Sequence, residues 1–286
     1  MHSFPIERQI GKVMFQQRRR TSHVGSALTI AELIYHSVAR KIRKTHGNAF
    51  MSLFMNMLQV IIFVMAFYVM FSVLGLRKTA IRGDFLLYLM SGVFLYMTQI
   101  KTIGAVVGSE GPTSPMMLHA PMNTVIAIAS AALSALYIQV LSLAVILFVY
   151  YVGFQHFTIE QPVNAFGMVL LAWFSGLGIG MVLLAAKPWF PTPVRIITMV
   201  YQRANMIASG KMFVANSLPT FMLNMFSWNP LFHCIDQSRG YVFINYVPRY
   251  TSTMYPFYFG LVFLMIGLMG EFYTRKHSSV SWSARR

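Results

Sequence analysis

Basic side chains lie deep inside a largely apolar stretch of the chain. Arg203 lies near the middle of residues 193–214, and Lys211 lies near the far end. A charged side chain in hydrocarbon costs roughly 2.5–3.5 kcal/mol on insertion scales, so such residues usually face a bundle interior or a water-filled path. Their chemistry would be anion binding, because guanidinium and ammonium groups pair with carboxylates and phosphates. The alternative is a misplaced span boundary that lets Arg203 reach an interface.

Acidic and metal-binding side chains do not form the pattern of a catalytic centre. The seven acidic residues are scattered, so a carboxylate pair for acid–base work has no local support. His233, Cys234 and Asp236 cluster, and a metal site there is conceivable. On a short helix, however, the cysteine and aspartate would diverge from the histidine, which favours a histidine at the membrane boundary. We therefore predict no catalytic residue, metal or cofactor bound by this chain.

A nucleotide-binding loop is also missing from the sequence. No Walker A pattern occurs, and Ser209-Gly210-Lys211 lacks both the first glycine of that pattern and the strand before it. If ATP drives this protein, the nucleotide must bind another chain. The single cysteine excludes an intrachain disulfide.

Six apolar stretches must position these residues. A membrane-spanning helix needs about 20 apolar residues, and lipid admits only helices or closed barrels, whose strands are far shorter. The chain has 286 residues, of which 56% are hydrophobic and 10% charged, so little remains for a soluble domain. We predict an all-α integral membrane protein with one transmembrane domain, 53–273, whose six helices cover 53–76, 85–107, 124–153, 163–186, 193–214 and 255–273.

The distribution of basic residues predicts the orientation of the spans. Nine lysines and arginines precede residue 53 and four follow residue 273, whereas the segments 77–84, 154–162 and 215–254 together hold five. Since basic residues collect on the cytoplasmic side, both termini are expected inside, which six crossings satisfy. The net charge of +16 then reflects membrane topology rather than nucleic-acid binding.

Segments outside the spans fall into three kinds. Residues 1–26 and 274–286 are predicted cytoplasmic tails, the first of them basic. Residues 27–45 form an amphipathic pattern expected to lie in the membrane interface, with packing against another soluble protein as the alternative. Residues 217–227 and 230–244 are apolar but too short to cross, so they predict re-entrant or interfacial helices between helices five and six.

Three motifs in order along the chain resemble one family. Arg40-Lys-Ile-Arg-Lys-Thr-His-Gly47 is similar to the element that opens capsular-polysaccharide export permeases, the membrane subunits of type-2 ABC exporters. Residues 92–104 with the loop ending in His119-Ala-Pro121 resemble the second helix and coupling loop of that family. Trp228-Asn-Pro-Leu-Phe-His233, followed by Ser238-Arg239, resembles its most specific signature. The likeness spans roughly residues 38–275.

The resemblance implies a permease that works as a homodimer with two copies of a separate ABC ATPase, which would hold ATP and Mg. A lipid-linked capsular or related surface polysaccharide would cross the bacterial inner membrane between the two copies. Periplasmic export proteins would be further partners. A cytoplasmic loop would contact the ATPase through Gly108, Glu110, Pro112, Pro115, His119 and Pro121. The translocation pathway or outer gate would involve Arg203, Lys211, Trp228, Asn229, Pro230, His233 and Arg239.

Other functions stay open at this point. An ABC-2 permease for O-antigen, a lipid or a drug would have the same fold. An integral membrane acyl- or glycosyltransferase would need acidic or histidine clusters at a membrane face, which the sequence lacks. A channel or secondary carrier would transport without an ATPase, but a proton-coupled carrier usually needs acidic groups or histidines at depth.

Overall fold

The all-helical fold class is confirmed by the computed structural model, which describes residues 23–46, 49–75, 81, 83–109 and 124–277. Within these ranges the chain forms nine α-helices and no strand. They are α1 (His23–His46), α2 (Ala49–Val73), α3 (Phe85–Val107), α4 (Thr124–Gly153), α5 (Pro162–Ala186), α6 (Pro191–Ala208), α7 (Thr220–Phe226), α8 (Pro230–Val242) and α9 (Met254–His277).

Five helices of the described residues, α2, α3, α4, α5 and α9, are long and apolar enough to cross a membrane. The fifth predicted span, 193–214, differs from the structure: α6 has 18 residues and ends six residues earlier. It ends there because Gly210 has a φ of 76°, a left-handed conformation that stops a helix. Two arginines and several polar residues also make α6 less apolar than the other five.

Hydrogen bonds between helix ends define two faces of the bundle. At the first face, Lys187 Nζ donates to the carbonyl of Val107 at 2.8 Å, and Thr124 Oγ1 donates to Glu271 Oε1 at 2.7 Å. At the second face, the Tyr150 hydroxyl donates to the Asp84 carboxylate. Helices α3, α5 and α9 therefore end at the first face, and α4 begins there.

Helix α3 lies at the centre of the bundle. Fifteen of its 23 residues are buried, and it packs against α2, α4, α5, α6 and α8. Its interior polar groups pair with neighbouring helices; for example, Gln99 Nε2 donates to Ser175 Oγ at 2.9 Å. Such pairing is expected in lipid, where water cannot satisfy a buried amide.

Helices α5 and α9 form the most extensive helix pair. A Cβ placed on Gly178 would lie 2.7 Å from the carbonyl oxygen of Gly260, so the two backbones touch. Small residues such as these let membrane helices approach closely.

Two short helices, α7 and α8, lie within the predicted short segments 217–227 and 230–244. The backbone NH of Gln161 donates to the Tyr241 carbonyl at 2.9 Å, which places the end of α8 at the second face. Helix α1 covers the predicted amphipathic segment 27–45 and packs on α4 and α2. The remainder of the two predicted tails, 1–22 and 278–286, lies outside the described residues.

Candidate translocation and coupling sites

The Arg239 side chain is fully buried on α8 and is held by the loop that follows α6. Its Nη1 donates to the carbonyls of Gly210 at 2.8 Å and Phe213 at 2.6 Å, and its Nη2 donates to the carbonyl of Lys211 at 2.6 Å. The guanidinium carbon lies 4.1 Å from the centre of the Tyr88 ring. Arg239 therefore ties α8 to the break after α6 and to α3.

Lys211 lies in the same loop and points into a cage of aromatic rings. Its side chain is 2% exposed, and Nζ lies 3.6 Å from the ring centre of Tyr96, 4.8 Å from Phe67 and 5.4 Å from Phe63. Among the described residues, Nζ has no hydrogen-bond partner. Ring faces attract cations, so this cage replaces part of the water that the ammonium group loses.

Gly92 of α3 makes room for both cations. A Cβ at this position would lie 2.8 Å from Lys211 Cβ and 3.0 Å from Arg239 Nη2. Gly92 is the eighth residue of α3, which places the contact about 10 Å from the second face at 1.5 Å per residue. The two cations thus lie inside the bundle rather than at its surface.

The Trp228–His233 motif builds the turn that starts α8. Asn229 caps the helix by accepting from the backbone NH of Leu231 at 3.1 Å, and its Nδ2 donates to Asn205 Oδ1 at 2.6 Å. Pro230 occupies the first helical position, where a missing backbone donor costs nothing. Trp228 is 62% exposed at the turn.

His233 ties this turn to the segment before α9. Its Nε2 lies 2.6 Å from the Ser227 carbonyl and must donate, and its Nδ1 accepts from the backbone NH of Ser252 at 3.0 Å. The neutral ring with hydrogen on Nε2 therefore fits both partners.

Asp236 and Cys234, the other two residues of the conceivable metal cluster, lie within the protein. Asp236 accepts from the Tyr246 hydroxyl at 2.5 Å and from Thr251 Oγ1 at 2.8 Å. Cys234 is fully buried. In the described part of the chain, no three histidine, cysteine or acidic residues are arranged to hold a metal ion.

Arg203 lies on the opposite side of α6 from the rest of the bundle. The packed side of α6 carries Val194 and Asn205, whereas Arg203 is exposed and shares its side with Ile196 and Val200. The hydroxyl of Tyr96, the middle residue of α3, donates to the carbonyl of Gln202 at 3.2 Å, so this turn of α6 lies beside the middle of α3. The structure therefore does not bring Arg203 together with Lys211 and Arg239.

Gly108 is the one predicted coupling residue within the described ranges. It caps α3 at the first face, where two cavities of about 590 and 410 Å³ meet its last turn. The first contains Lys187 and Arg195, and the second contains Lys41 and Lys101. The predicted coupling residues Glu110, Pro112, Pro115, His119 and Pro121 lie outside the described residues.

Comparison with known proteins yields two related matches. The chain is 24% identical over 201 residues to a polysialic acid transport protein KpsM of Escherichia coli, covering 68% of this chain and 74% of the relative. A second protein of the same name and organism is 26% identical over 210 residues, covering 70% and 78%. No family profile matches the chain. Both relatives are named as transport proteins for a polysaccharide, polysialic acid.

Several residues of this region escape prediction from the sequence. Tyr88, Gly92 and Tyr96 occur in an ordinary apolar stretch, and Phe63 and Phe67 are typical of any lipid-facing helix. One signal was available: Tyr88, Gly92 and Tyr96 recur every four residues, which places them on one side of α3. The sequence does not show which residues contact this side of α3, because Lys211 and Arg239 are more than a hundred residues away along the chain.

Proposed function

We propose that this chain is the permease subunit of an ATP-driven exporter that moves a lipid-linked capsular or related surface polysaccharide out of the cytoplasm. The observation that carries the proposal is Arg203, an exposed cation at mid-depth on an otherwise apolar surface. Facing lipid, it would cost roughly 2.5–3.5 kcal/mol. A water-filled path along the outer side of α6 removes that cost and gives the arginine an anionic substrate.

A second copy of this chain would complete the path. The exposed side of α6 would face its counterpart, so that Arg203 of each copy lines a shared passage. Residues 209–253, which we call the outer-gate segment, would border its exit at the second face. Lys211, Asn229, Pro230, His233 and Arg239 would shape this segment, and Trp228 would face the polymer. Ring stacking on sugar faces would suit that position.

The energy would come from another polypeptide. Two copies of an ABC ATPase would bind ATP and Mg, and would meet the loop 108–121 at the first face. In this arrangement the first face is cytoplasmic, the second face is periplasmic, and α6 with the outer-gate segment supplies the sixth crossing of the inner membrane. Export proteins of the periplasm would meet the second face.

Replacement of Arg203 tests the path. We expect Arg203→Ala to reduce surface polysaccharide about tenfold or more, because one charge-assisted hydrogen bond is worth roughly 1.5–3 kcal/mol. Arg203→Lys should retain part of the export, since it keeps the charge. The measurement is quantitative immunostaining of the polysaccharide on intact cells, normalised to the amount of permease in the membrane.

Arg275→Ala is the matched control, since Arg275 is an exposed arginine in the last turn of α9. It should export as the wild type does. Normal export by Arg203→Ala at a normal protein level would contradict the assignment of the path to this side of α6.

A further inference from the structure

One buried carboxylate near the first face has no place in the proposed path. Glu271 of α9 is 6% exposed and lies six residues before the end of that helix. The other four apolar helices that the structure describes, α2, α3, α4 and α5, contain no aspartate or glutamate. A buried acidic group is costly in a membrane protein, so acidic residues in such helices are rare and usually have a function.

Glu271 binds the first residue of α4. Thr124 Oγ1 donates to Glu271 Oε1 at 2.7 Å, and Thr124 is itself 4% exposed. The carboxylate therefore lies at the N-terminal end of α4, where the helix dipole favours a negative charge. Because Thr124 follows the last residue of the predicted coupling loop 108–121 by three positions, Glu271 holds the point at which that loop enters the bundle.

The next turn of α9 binds the connection between α5 and α6. Thr274 Oγ1 donates to the carbonyl of Ala185 at 3.1 Å and accepts from Trp189 Nε1 at 2.9 Å. The Trp189 ring also stacks on Tyr273, with the two ring centres 5.9 Å apart. Trp189 lies two residues before the start of α6. The end of α9 therefore contacts both α4 and the segment that leads into α6.

The other end of the coupling loop meets the same connection. Lys187 Nζ donates to the carbonyl of Val107, the residue that precedes Gly108, at 2.8 Å. The chain on either side of the loop is thus tied by a hydrogen bond, on one side to α9 and on the other to the segment 185–189. These two ties converge at Trp189 and Thr274, next to the start of α6.

Hydrogen bonds between helices transmit movement along the helix axis better than apolar contacts do. Apolar side chains can slide past one another, whereas a hydrogen bond weakens steeply when its length or angle changes. A displacement of Thr124 therefore pulls on α9 at Glu271, and α9 in turn pulls on the segment before α6 at Trp189. A pair of apolar residues could keep α4 and α9 packed at a lower desolvation cost, but it would remove this fixed point.

We propose that Glu271 is a positioning residue that passes movement of the coupling loop to α6 through the end of α9. The proposal rests on the proposed function, since it needs an ATPase that moves the loop and a path along α6. In this scheme ATP hydrolysis displaces Thr124, Glu271 carries the displacement to α9, and α6 with Arg203 changes its position. Helix α9 then transmits force and does not line the path.

The ratio of export to ATP hydrolysis tests the proposal. The permease is purified together with the ATPase that its own cells supply, and ATP hydrolysis by this complex is measured in lipid nanodiscs. Export is the amount of polysaccharide on intact cells, normalised to the permease in the membrane. We expect Glu271→Leu to lower export about tenfold while hydrolysis stays within about twofold of the wild type. Glu271→Gln should lower export about threefold only, because its amide oxygen still accepts from Thr124.

Thr124 and Glu271 should behave as one unit. Thr124→Val removes the donor, keeps the shape of the side chain and should lower export about as much as Glu271→Leu does. The double variant should be no worse than either single variant, because residues that act through a shared contact are not additive. Thr124→Ser keeps the hydroxyl and should export as the wild type does. Glu160→Leu is the control for loss of a carboxylate, since Glu160 is exposed at the second face.

Three outcomes would overturn the role of Glu271 and leave the proposed function standing. They are wild-type export by Glu271→Leu, additive losses in the double variant, and a parallel fall of hydrolysis and export, which would show a role in assembly of the complex. Conversely, cells that keep their surface polysaccharide without the permease would refute the export function itself. Circular dichroism would show that each variant is folded, and Glu271→Gln with Thr124→Val would supply the test if Glu271→Leu were not.

Discussion

At the scale of single residues, the two buried cations near the second face differ in what holds them. Arg239 makes three hydrogen bonds to backbone carbonyls, whereas Lys211 has only aromatic rings around it. We expect Arg239→Met to lower the free energy of unfolding by about 3 kcal/mol or more, since hydrogen bonds to charged groups contribute roughly 1.5–3 kcal/mol each and the carbonyls would remain unpaired. Unfolding in mixed micelles by increasing dodecyl sulfate, followed by circular dichroism, would measure it.

The matched substitution is Lys211→Met, which removes a cation of the same burial. A buried ammonium costs several kcal/mol, and cation–π contacts recover about 2 kcal/mol. Lys211→Met should therefore unfold at the same denaturant level as the wild type or a higher one. Equal destabilisation by the two substitutions would contradict the distinction, and would mean that the cage binds Lys211 as firmly as the carbonyls bind Arg239.

At the scale of helices, contact between α5 and α9 depends on residues without side chains. We expect Gly178→Leu to destabilise the bundle by roughly 1–3 kcal/mol, because the new side chain would collide with the α9 backbone near Gly260. Gly167→Leu is the control on the same helix, since a Cβ there meets no atom within 4 Å. The same dodecyl sulfate titration compares them. If both variants unfold alike, α5 and α9 do not touch at Gly178.

The sequence predicts the presence of each long helix far better than it predicts where the helix ends and which helices it packs against. The predicted ranges 85–107 and 124–153 are those of α3 and α4, because a long apolar run has no other stable form in lipid. The sequence does not reveal the end of α6, because apolar residues continue past Gly210 and only the backbone conformation of Gly210 shows the break. The small apolar and aromatic residues that surround Lys211 carry no signal of their own, because they also suit a surface that faces lipid.

Across the bundle as a whole, the described part of the chain passes between the two faces six times, although only five of its helices are long and apolar enough to cross a membrane. Thr274 Oγ1 donates to the Ala185 carbonyl at 3.1 Å, so α5 and α9 both end at the first face. The chain must therefore travel to the second face between them. Helix α6 makes most of that passage beside α3, and the outer-gate segment completes it. A helix with two arginines can do so where its exposed side borders water rather than lipid.

Labelling of single cysteines tests this topology. Cys234 is buried and is the sole cysteine of the given sequence. In a Cys234→Ser background, each introduced cysteine is therefore the single thiol of the chain. His156→Cys places a thiol at the second face, and His277→Cys places one at the first. We expect a membrane-impermeant maleimide to label His156→Cys in intact cells, and His277→Cys only after the inner membrane is opened. The proposed topology has an odd number of crossings between these two positions, so they must lie on opposite sides of the membrane. Labelling of both from the same side would contradict that topology. It would also contradict the passage along α6 on which the proposed path depends.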